Sequence, residues 1–431
     1  MSSPQQSSGV SNAKAATVAL VLLTALNLVN YIDRYILPGV QEMVKSEFHV
    51  SDARIGALTT WFFVTYIIAA PMTGWLGDHF PRKPLIVIGA LLWSGTNLFT
   101  AMVHNFDALL VRHAALGIGE ASFGIYGPAL LSDFYGPQQR NRALTIFNIA
   151  IPVGAALGYS LGSAIAQAHG WRSAFYVSAI PGVVIAIAIL IFMREPARGR
   201  SEVLAEEDAS STRDTRGLIA RLAATVGYFL KNKAYLTATM GYAMSTFTIG
   251  GISAWIPTFL QREAGMTASR AGFTVGAITA ATGIAGTALG GWWAQRWLKR
   301  DRRALYWVCA AGPAICTPFA LLCFFGPKAT MLPALAAAEL ALFLGSGPVN
   351  AAIVNSVSAK VRATALAGQL FLIHLFGDVP SPGIIGFVSD RSNLRWGLGV
   401  TVLALVASSG FQLWGSHYAP EDSDPKARAA A

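Results

Sequence analysis

The sequence predicts an all-α membrane protein of twelve transmembrane helices, arranged as two six-helix, pseudo-symmetric bundles. Three observations predict it. The composition is too apolar for water, the apolar residues fall in runs long enough to cross a bilayer, and a motif is duplicated on either side of a polar central stretch.

Of the 431 residues, 54% are apolar and only 13% charged. A soluble domain carries about 25% charged residues. A chain this apolar would leave large greasy patches in water, so lipid is the better solvent. The net charge is +10, but the cations are scattered through short loops between apolar runs. That distribution follows membrane topology and argues against a nucleic-acid partner. Cys309, Cys316 and Cys323 stand at seven-residue intervals on one helical face. Their Cα atoms would be ~10 Å apart, beyond disulfide reach, so they read as packing residues. No metal-ligand cluster, phosphate loop or nucleophile–base set appears, so neither a metal, a cofactor nor an enzyme activity is expected. Residues 1–12 are Ser/Gln-rich and uncharged. Lacking the basic segment and cleavage site of a signal peptide, they leave the first apolar run as a retained span.

Crossing ~30 Å of hydrocarbon takes about twenty residues. Runs of that length lie at roughly 15–40, 54–78, 84–103, 107–132, 140–168, 172–193, 233–262, 268–297, 303–325, 330–356, 361–389 and 395–416. The longest polar interval separates the first six from the last six. The expected organisation is therefore an N-terminal bundle (1–193), a linker with a short amphipathic helix near 218–230 (194–232), a C-terminal bundle (233–416) and a tail (417–431). With both termini cytoplasmic, the inner segments hold 22 Lys and Arg and the outer segments 8. That bias predicts a multi-pass protein of the cell (inner) membrane with cytoplasmic linker and tail.

The duplication supports the two halves. Gly74-Trp-Leu-Gly-Asp78-His-Phe-Pro-Arg82-Lys83 closes the second run, and Gly291-Trp-Trp-Ala-Gln295-Arg-Trp-Leu-Lys299-Arg300 closes the eighth. Both start with Gly, carry a polar residue four later and end on two cations, at equivalent places in a duplicated six-helix unit. The first pattern resembles the loop 2–3 signature of the major facilitator superfamily, and the second its degenerate copy. The resemblance implies that Gly74, Asp78, Arg82 and Lys83 gate the change between access states. In it Asp78 caps a helix of the opposite half, where an anion is favourable. Inside-positive anchoring is the competing reading of Arg82 and Lys83.

Ionisable groups inside spans cost at least ~2.5–3.5 kcal/mol each and usually face a cavity. Here they are Asp33 and Arg34 in the first span, Arg112, His113 and Glu120 in the fourth, Glu339 in the tenth, and His374 and Asp378 in the eleventh. Asp33 and Arg34 are ~100° apart on a helix, so each needs its own partner elsewhere. Arg112 sits near the outer end of its span, and snorkelling to the interface is the favoured reading for it. Glu120 and Glu339 lie deep, where a lone carboxylate is a natural proton carrier. A static Glu120–Arg34 pair is the alternative. His374 and Asp378 share a face at i, i+4, and a carboxylate beside an imidazole can hold a proton near neutral pH. Pro380, Ser381 and Pro382 then break the helix, which is tolerated only against protein or a water-filled space. Gly154, Gly158 and Gly162, and again Gly286 and Gly290, are spaced for close helix contacts.

Several stretches resemble the spinster-like branch of that superfamily. These are Asn30-Tyr31-Ile32-Asp33-Arg34-Tyr35, Gly117-Ile118-Gly119-Glu120-Ala121-Ser122, Asn141-Arg142-Ala143-Leu144 with Ile151-Pro152-Val153-Gly154, Arg362-Ala363-Thr364-Ala365, and His374-Leu375-Phe376-Gly377-Asp378 with Ser381-Pro382. Glu339 falls where that branch carries a glutamate. There is one departure: His113 stands seven before Glu120, where the branch carries arginine, and the arginine is at 112. The resemblance implies a secondary active, alternating-access transporter of an amphiphilic lipid (a lysophospholipid or sphingosine phosphate), coupled to protons and acting as a monomer. Asp33, His113, Glu120, Glu339, His374 and Asp378 are then the proton-coupling candidates. Arg34, Glu120, Phe247, Trp255 and Glu339 are the substrate-contacting ones, with Arg34 meeting a phosphate and the span-seven apolar residues walling a tail. A symporter of a small organic or sugar acid, using the same Arg34, is the first alternative. A drug or amphiphile efflux pump is the second.

Overall fold

The computed structural model describes residues 4–100, 102–135, 137–196, 227–358 and 361–420, and those residues are helical throughout with no strand among them. The first six helices are α1 (Pro4–Phe48), α2 (Asp52–His79), α3 (Arg82–Thr100), α4 (Phe106–Phe134), α5 (Pro137–His169) and α6 (Trp171–Phe192). After the linker come α7 (Lys233–Ala264), α8 (Ala268–Leu298), α9 (Ala304–Phe325), α10 (Lys328–Phe343) and α11 (Ser346–Asn355). The chain ends with α12 (Arg362–Ile373), a π turn over His374–Asp378, α13 (Pro380–Arg391) and α14 (Leu394–Ser416). Residues 197–226, which hold most of the expected linker helix, and residues 421–431 of the expected tail lie outside the described residues.

Local chemistry sets the ends. Asn105 accepts the backbone N–H of Ala108 and Asn393 that of Trp396, so each caps a helix start with its side chain. Asn232 does the same for Tyr235 at the head of α7. Gly170 and Gly265 turn the chain with positive φ before α6 and α8. Two expected spans are broken. The tenth kinks at Leu344-Gly345 between α10 and α11, and the eleventh passes through the π turn.

Among the described residues ten stretches are long and apolar enough to cross a membrane, two of them joining α10 to α11 and α12 to α13. Arg82–Thr100 and Lys233–Ala264, read as spans from the sequence, are not among them. Helix α3 opens on Arg82 and Lys83, and both helices bury polar residues: Ser94, Asn97 and Thr100 on α3, and Thr237, Thr239, Thr246, Thr248 and Thr258 on α7. Polar residues turned toward neighbouring helices dilute the hydropathy of both. The outward faces are the reverse, with Val111, Ile187, Ile191, Phe192 and Leu403 exposed, as lipid requires.

Packing divides the chain into two compact units that do not follow the halves of the sequence. One takes the chain to Val50, Trp61 through α6, and Gly265–Ala277. The other takes Ser51–Thr60, α7 to Ala264, and Ile278 onward. In the first unit the glycine stripe of α5 lies against α1. Cβ atoms at Gly154 and Gly158 would fall 2.6 Å from the Tyr31 Cβ and 2.5 Å from the Ile32 carbonyl. That close approach fixes the segment of α1 bearing Asp33 and Arg34. Gly286 and Gly290 pack on the carbonyls of Leu340 and Leu344 within the second unit. The three cysteines are free and buried, as packing residues would be.

Candidate functional site

Within the first unit, α1 and α4 bring four charges together. Arg34 donates to Glu120 Oε2 from Nε at 3.0 Å and from Nη2 at 2.6 Å. Glu120 is 1% exposed, and its Oε1 receives no hydrogen bond. The Arg34 guanidinium carbon lies 5.1–5.9 Å from the ring centroids of Tyr31, Phe62, Phe63 and Tyr66. Aromatic faces suit a cation that has left water, and they leave the N–H edge as its polar outlet.

Asp33, one residue earlier, points elsewhere as the helix turn dictates. It is fully buried, and neither carboxylate oxygen receives a hydrogen bond. Ser178, Asn97, Glu120 and Arg112 are its polar surroundings. Arg112 departs from the snorkelling expectation. Its Nε donates to the Thr96 carbonyl at 2.8 Å and its Nη2 to Asn97 at 2.5 Å, while Phe175 covers the guanidinium at 4.8 Å. The acceptors on α3 and the ring on α6 hold it inside at 7% exposure. His113 is buried with its Nδ1 3.0 Å from Arg112 Nη1, and its ring packs on Phe62. Arg112 rather than Glu120 is therefore its polar neighbour. The unit thus encloses two acids, two arginines and a histidine, with a close ion pair for only one acid.

The second unit holds the other buried candidates. His374 Nδ1 and Asp378 Oδ2 are 2.6 Å apart across the π turn, which also places the Val379 N–H on the His374 carbonyl. The Asp378 carboxylate comes so near the backbone of α7 that a Cβ at Gly250 would lie 2.5 Å from its Oδ1. Glu339 is 4% exposed and accepts from Thr282 Oγ1 at 3.2 Å. Phe247 and Trp255 are buried rather than lipid-facing, and Trp255 Nε1 donates to the Pro382 carbonyl at 3.0 Å.

At the motif, Arg82 donates to Asp133 at 2.7 Å and to the Gly77 carbonyl. The backbone N–H groups of Arg82 and Lys83, at the head of α3, hold the Glu195 carboxylate at 2.5 and 3.2 Å, where the helix dipole favours an anion. Asp78 is exposed. A Cβ at Gly74 would meet nothing within 4 Å, whereas one at Gly77 would lie 2.5 Å from the Tyr126 ring. In this packing the required glycine is Gly77.

A clasp in the second unit went unforeseen. Asp52 takes Arg262 bidentately at 2.7 and 2.8 Å and accepts Ser389 Oγ at 2.5 Å. Asp390 accepts the N–H groups of Asp52 and Ala53 at the head of α2. The partners lie hundreds of residues apart, and Ser51-Asp52 reads locally as an ordinary helix start. Asp133 and Glu195 meet Arg82 from 51 and 113 residues away, which no local pattern shows either.

The major facilitator superfamily model matches residues 23–373. The sphingosine-1-phosphate transporter SPNS2 of Xenopus tropicalis is 34% identical over 395 residues, 88% of this chain and 74% of that protein. Human protein spinster homolog 1 is 32% identical, covering 91% and 76%. Among solved structures, a bacterial homologue of the human lysosomal transporter spinster, inward-facing and unoccupied, superposes with a TM-score of 0.82 at 21% identity, covering 94% and 98%. A D-xylose–proton symporter shares the fold at a TM-score of 0.72 and 15% identity, covering 94% and 98%. The chain belongs to the spinster-like branch of the major facilitator superfamily and is a multi-pass membrane transporter of the alternating-access type.

Proposed function

We propose that the protein carries an amphiphilic lipid with an anionic head, a lysophospholipid or a sphingosine-phosphate-like molecule, and couples its movement to protons. The observation that carries this reading is Arg34. Its faces are covered by aromatic rings and its edge is held by Glu120. A guanidinium edge matches phosphate bidentately, and the rings offer apolar surface beside it. In this reading the lipid head displaces Glu120 from Arg34, and the released carboxylate takes a proton. Cargo and proton then favour each other's binding, as linkage requires. The relative named a sphingosine-1-phosphate transporter carries a cargo of this chemistry.

Asp33 is the second proton acceptor of the cluster, because a fully buried carboxylate is costly while ionised. His113 is a third protonatable residue of the first unit, and Glu339, His374 and Asp378 are those of the other. Phe247 and Trp255 wall the lipid tail. Gly74, Asp78, Arg82 and Lys83, now with Asp133 and Glu195, gate one end of the pathway. The fold carrying this is a monomer of twelve spans in two six-helix bundles, α3 and α7 completing the ten. It sits in the inner membrane with both termini cytoplasmic.

The test is uptake by proteoliposomes under an imposed pH gradient. A lysophospholipid should accumulate and a sugar acid should not, and Arg34→Ala should abolish saturable binding of the lysophospholipid. Accumulation of the sugar acid alone, or unchanged affinity in Arg34→Ala, would overturn the assignment.

A further inference from the structure

The duplicated motif raises a question of charge balance. In the first copy the cation and the helix head are answered from within the unit: Asp133 holds Arg82, and Glu195 occupies the N–H groups of Arg82 and Lys83. The second copy is more basic. Arg296, Lys299, Arg300, Arg302 and Arg303 fall in eight residues with one acid, Asp301. Asp301 Oδ1 faces inward, accepting the Arg303 backbone N–H at 2.7 Å. Arg296, Lys299 and Arg300 are exposed. Like charges three and four residues apart repel by ~0.2–0.5 kcal/mol a pair. The C-terminal end of a helix dipole offsets only about half a charge.

The aromatic residues define the setting. Trp293 and Trp297 pack with tilted rings, centroids 5.1 Å apart, and Trp297 meets Trp307 of α9 edge-on at 5.8 Å. This ladder pins the end of α8 to the start of α9. Backbone bonds from Arg300 and Asp301 to the Trp297 carbonyl make the turn between them tight. The cations therefore stand on a rigid ledge. Trp292 is 62% exposed with Arg296 above its ring at 5.9 Å. Indoles with one apolar and one wet side belong at the depth of lipid headgroups. Inside-positive orientation explains cations in this loop, but not the crowding of exposed Arg296, Lys299 and Arg300 against an exposed indole.

We propose that the α8–α9 turn is a docking site for an anionic glycerophospholipid of the surrounding bilayer, with Arg296, Lys299 and Arg300 on the phosphate and Trp292 against the acyl-chain boundary. The occupant is a membrane lipid rather than a soluble anion, because the cations adjoin a lipid-facing indole. It shares no residue with the cargo contacts proposed above.

The full-length protein in phosphatidylcholine nanodiscs, with and without phosphatidylglycerol, tests this. Phosphatidylglycerol should raise the unfolding midpoint of the wild type and be retained preferentially in native mass spectra. The variant R296Q/K299Q/R300Q should keep its midpoint in phosphatidylcholine and lose most of the phosphatidylglycerol increment. R270Q, at the other end of α8, should keep the increment. The full increment in the triple variant, or the same rise from glycerol phosphate alone, would overturn the proposal. Should the triple variant unfold in both lipids, the wild-type spectra decide: no preference for phosphatidylglycerol over phosphatidylcholine also overturns it.

Discussion

Replacing Glu120 by glutamine should tighten the binding of anionic amphiphiles while reducing its pH dependence. In the wild type a lipid phosphate must first part Arg34 from Glu120. That contact is two charge-assisted hydrogen bonds at 3.0 and 2.6 Å, both landing on one oxygen. Such bonds are worth ~1.5–3 kcal/mol net, and sharing an acceptor keeps the pair near the value of one. At 1.4 kcal/mol per tenfold, removing the competitor should strengthen binding by roughly 10- to 150-fold. The aromatic rings around Arg34 remain, so the cation stays housed. In the wild type, affinity should rise as pH falls, because protonating Glu120 frees Arg34. In Glu120→Gln that rise should be much smaller, Asp33 being the acceptor left in the cluster, and proton-driven transport should fall because one exchangeable carboxylate is gone. Titration of the purified protein with a fluorescent lysophospholipid at several pH values reads both effects. Unchanged or weaker binding in Glu120→Gln, or an equal gain for an uncharged analogue, would refute the displacement mechanism.

Two further outcomes follow from the packing. Arg262→Ala removes the bidentate partner of the Asp52 carboxylate, which is 2% exposed and also accepts from Ser389. Arg262 is itself 23% exposed, so the loss should be ~2–3 kcal/mol, below the 3–5 of a fully buried pair. A double-mutant cycle with Asp52→Asn in thermal unfolding should return most of it as coupling, and additivity would remove the clasp. Gly77→Ala should cost ~1–3 kcal/mol by overpacking against Tyr126, whose hydroxyl is tied to the Thr73 carbonyl. Gly74→Ala should be neutral in the same melt, and equal effects would contradict the packing.

Much of the helical architecture is legible because hydrocarbon thickness sets run length. The second apolar run, placed at 54–78, is a helix over Asp52–His79, and the run at 268–297 is a helix over Ala268–Leu298. The kink at Leu344-Gly345 was not foreseen, although Gly345, Gly347 and Pro348 signal it locally. Buried charges were also legible, since apolar context alone singles out Asp33, Arg34 and Glu120. What helical spacing cannot give is the partner on another helix. Arg112 was assigned to the interface because its depth along α4 allowed it. Asn97 and Thr96, which hold it inside, lie on α3 and look like ordinary polar interruptions there. The Asp52–Arg262 clasp joins residues 210 apart, and no local pattern carries that pairing.

The central claim is that charge enclosed in the first unit couples protons to cargo, and Asp33→Asn tests it most directly. The residue is fully buried, with Ser178 and Asn97 among its polar surroundings, and asparagine keeps its size while removing the carboxylate that takes the proton. Lysophospholipid movement should be measured in proteoliposomes both as exchange at equal pH and as accumulation under a pH gradient. The account predicts that exchange persists while accumulation is lost. Wild-type accumulation by Asp33→Asn would contradict it.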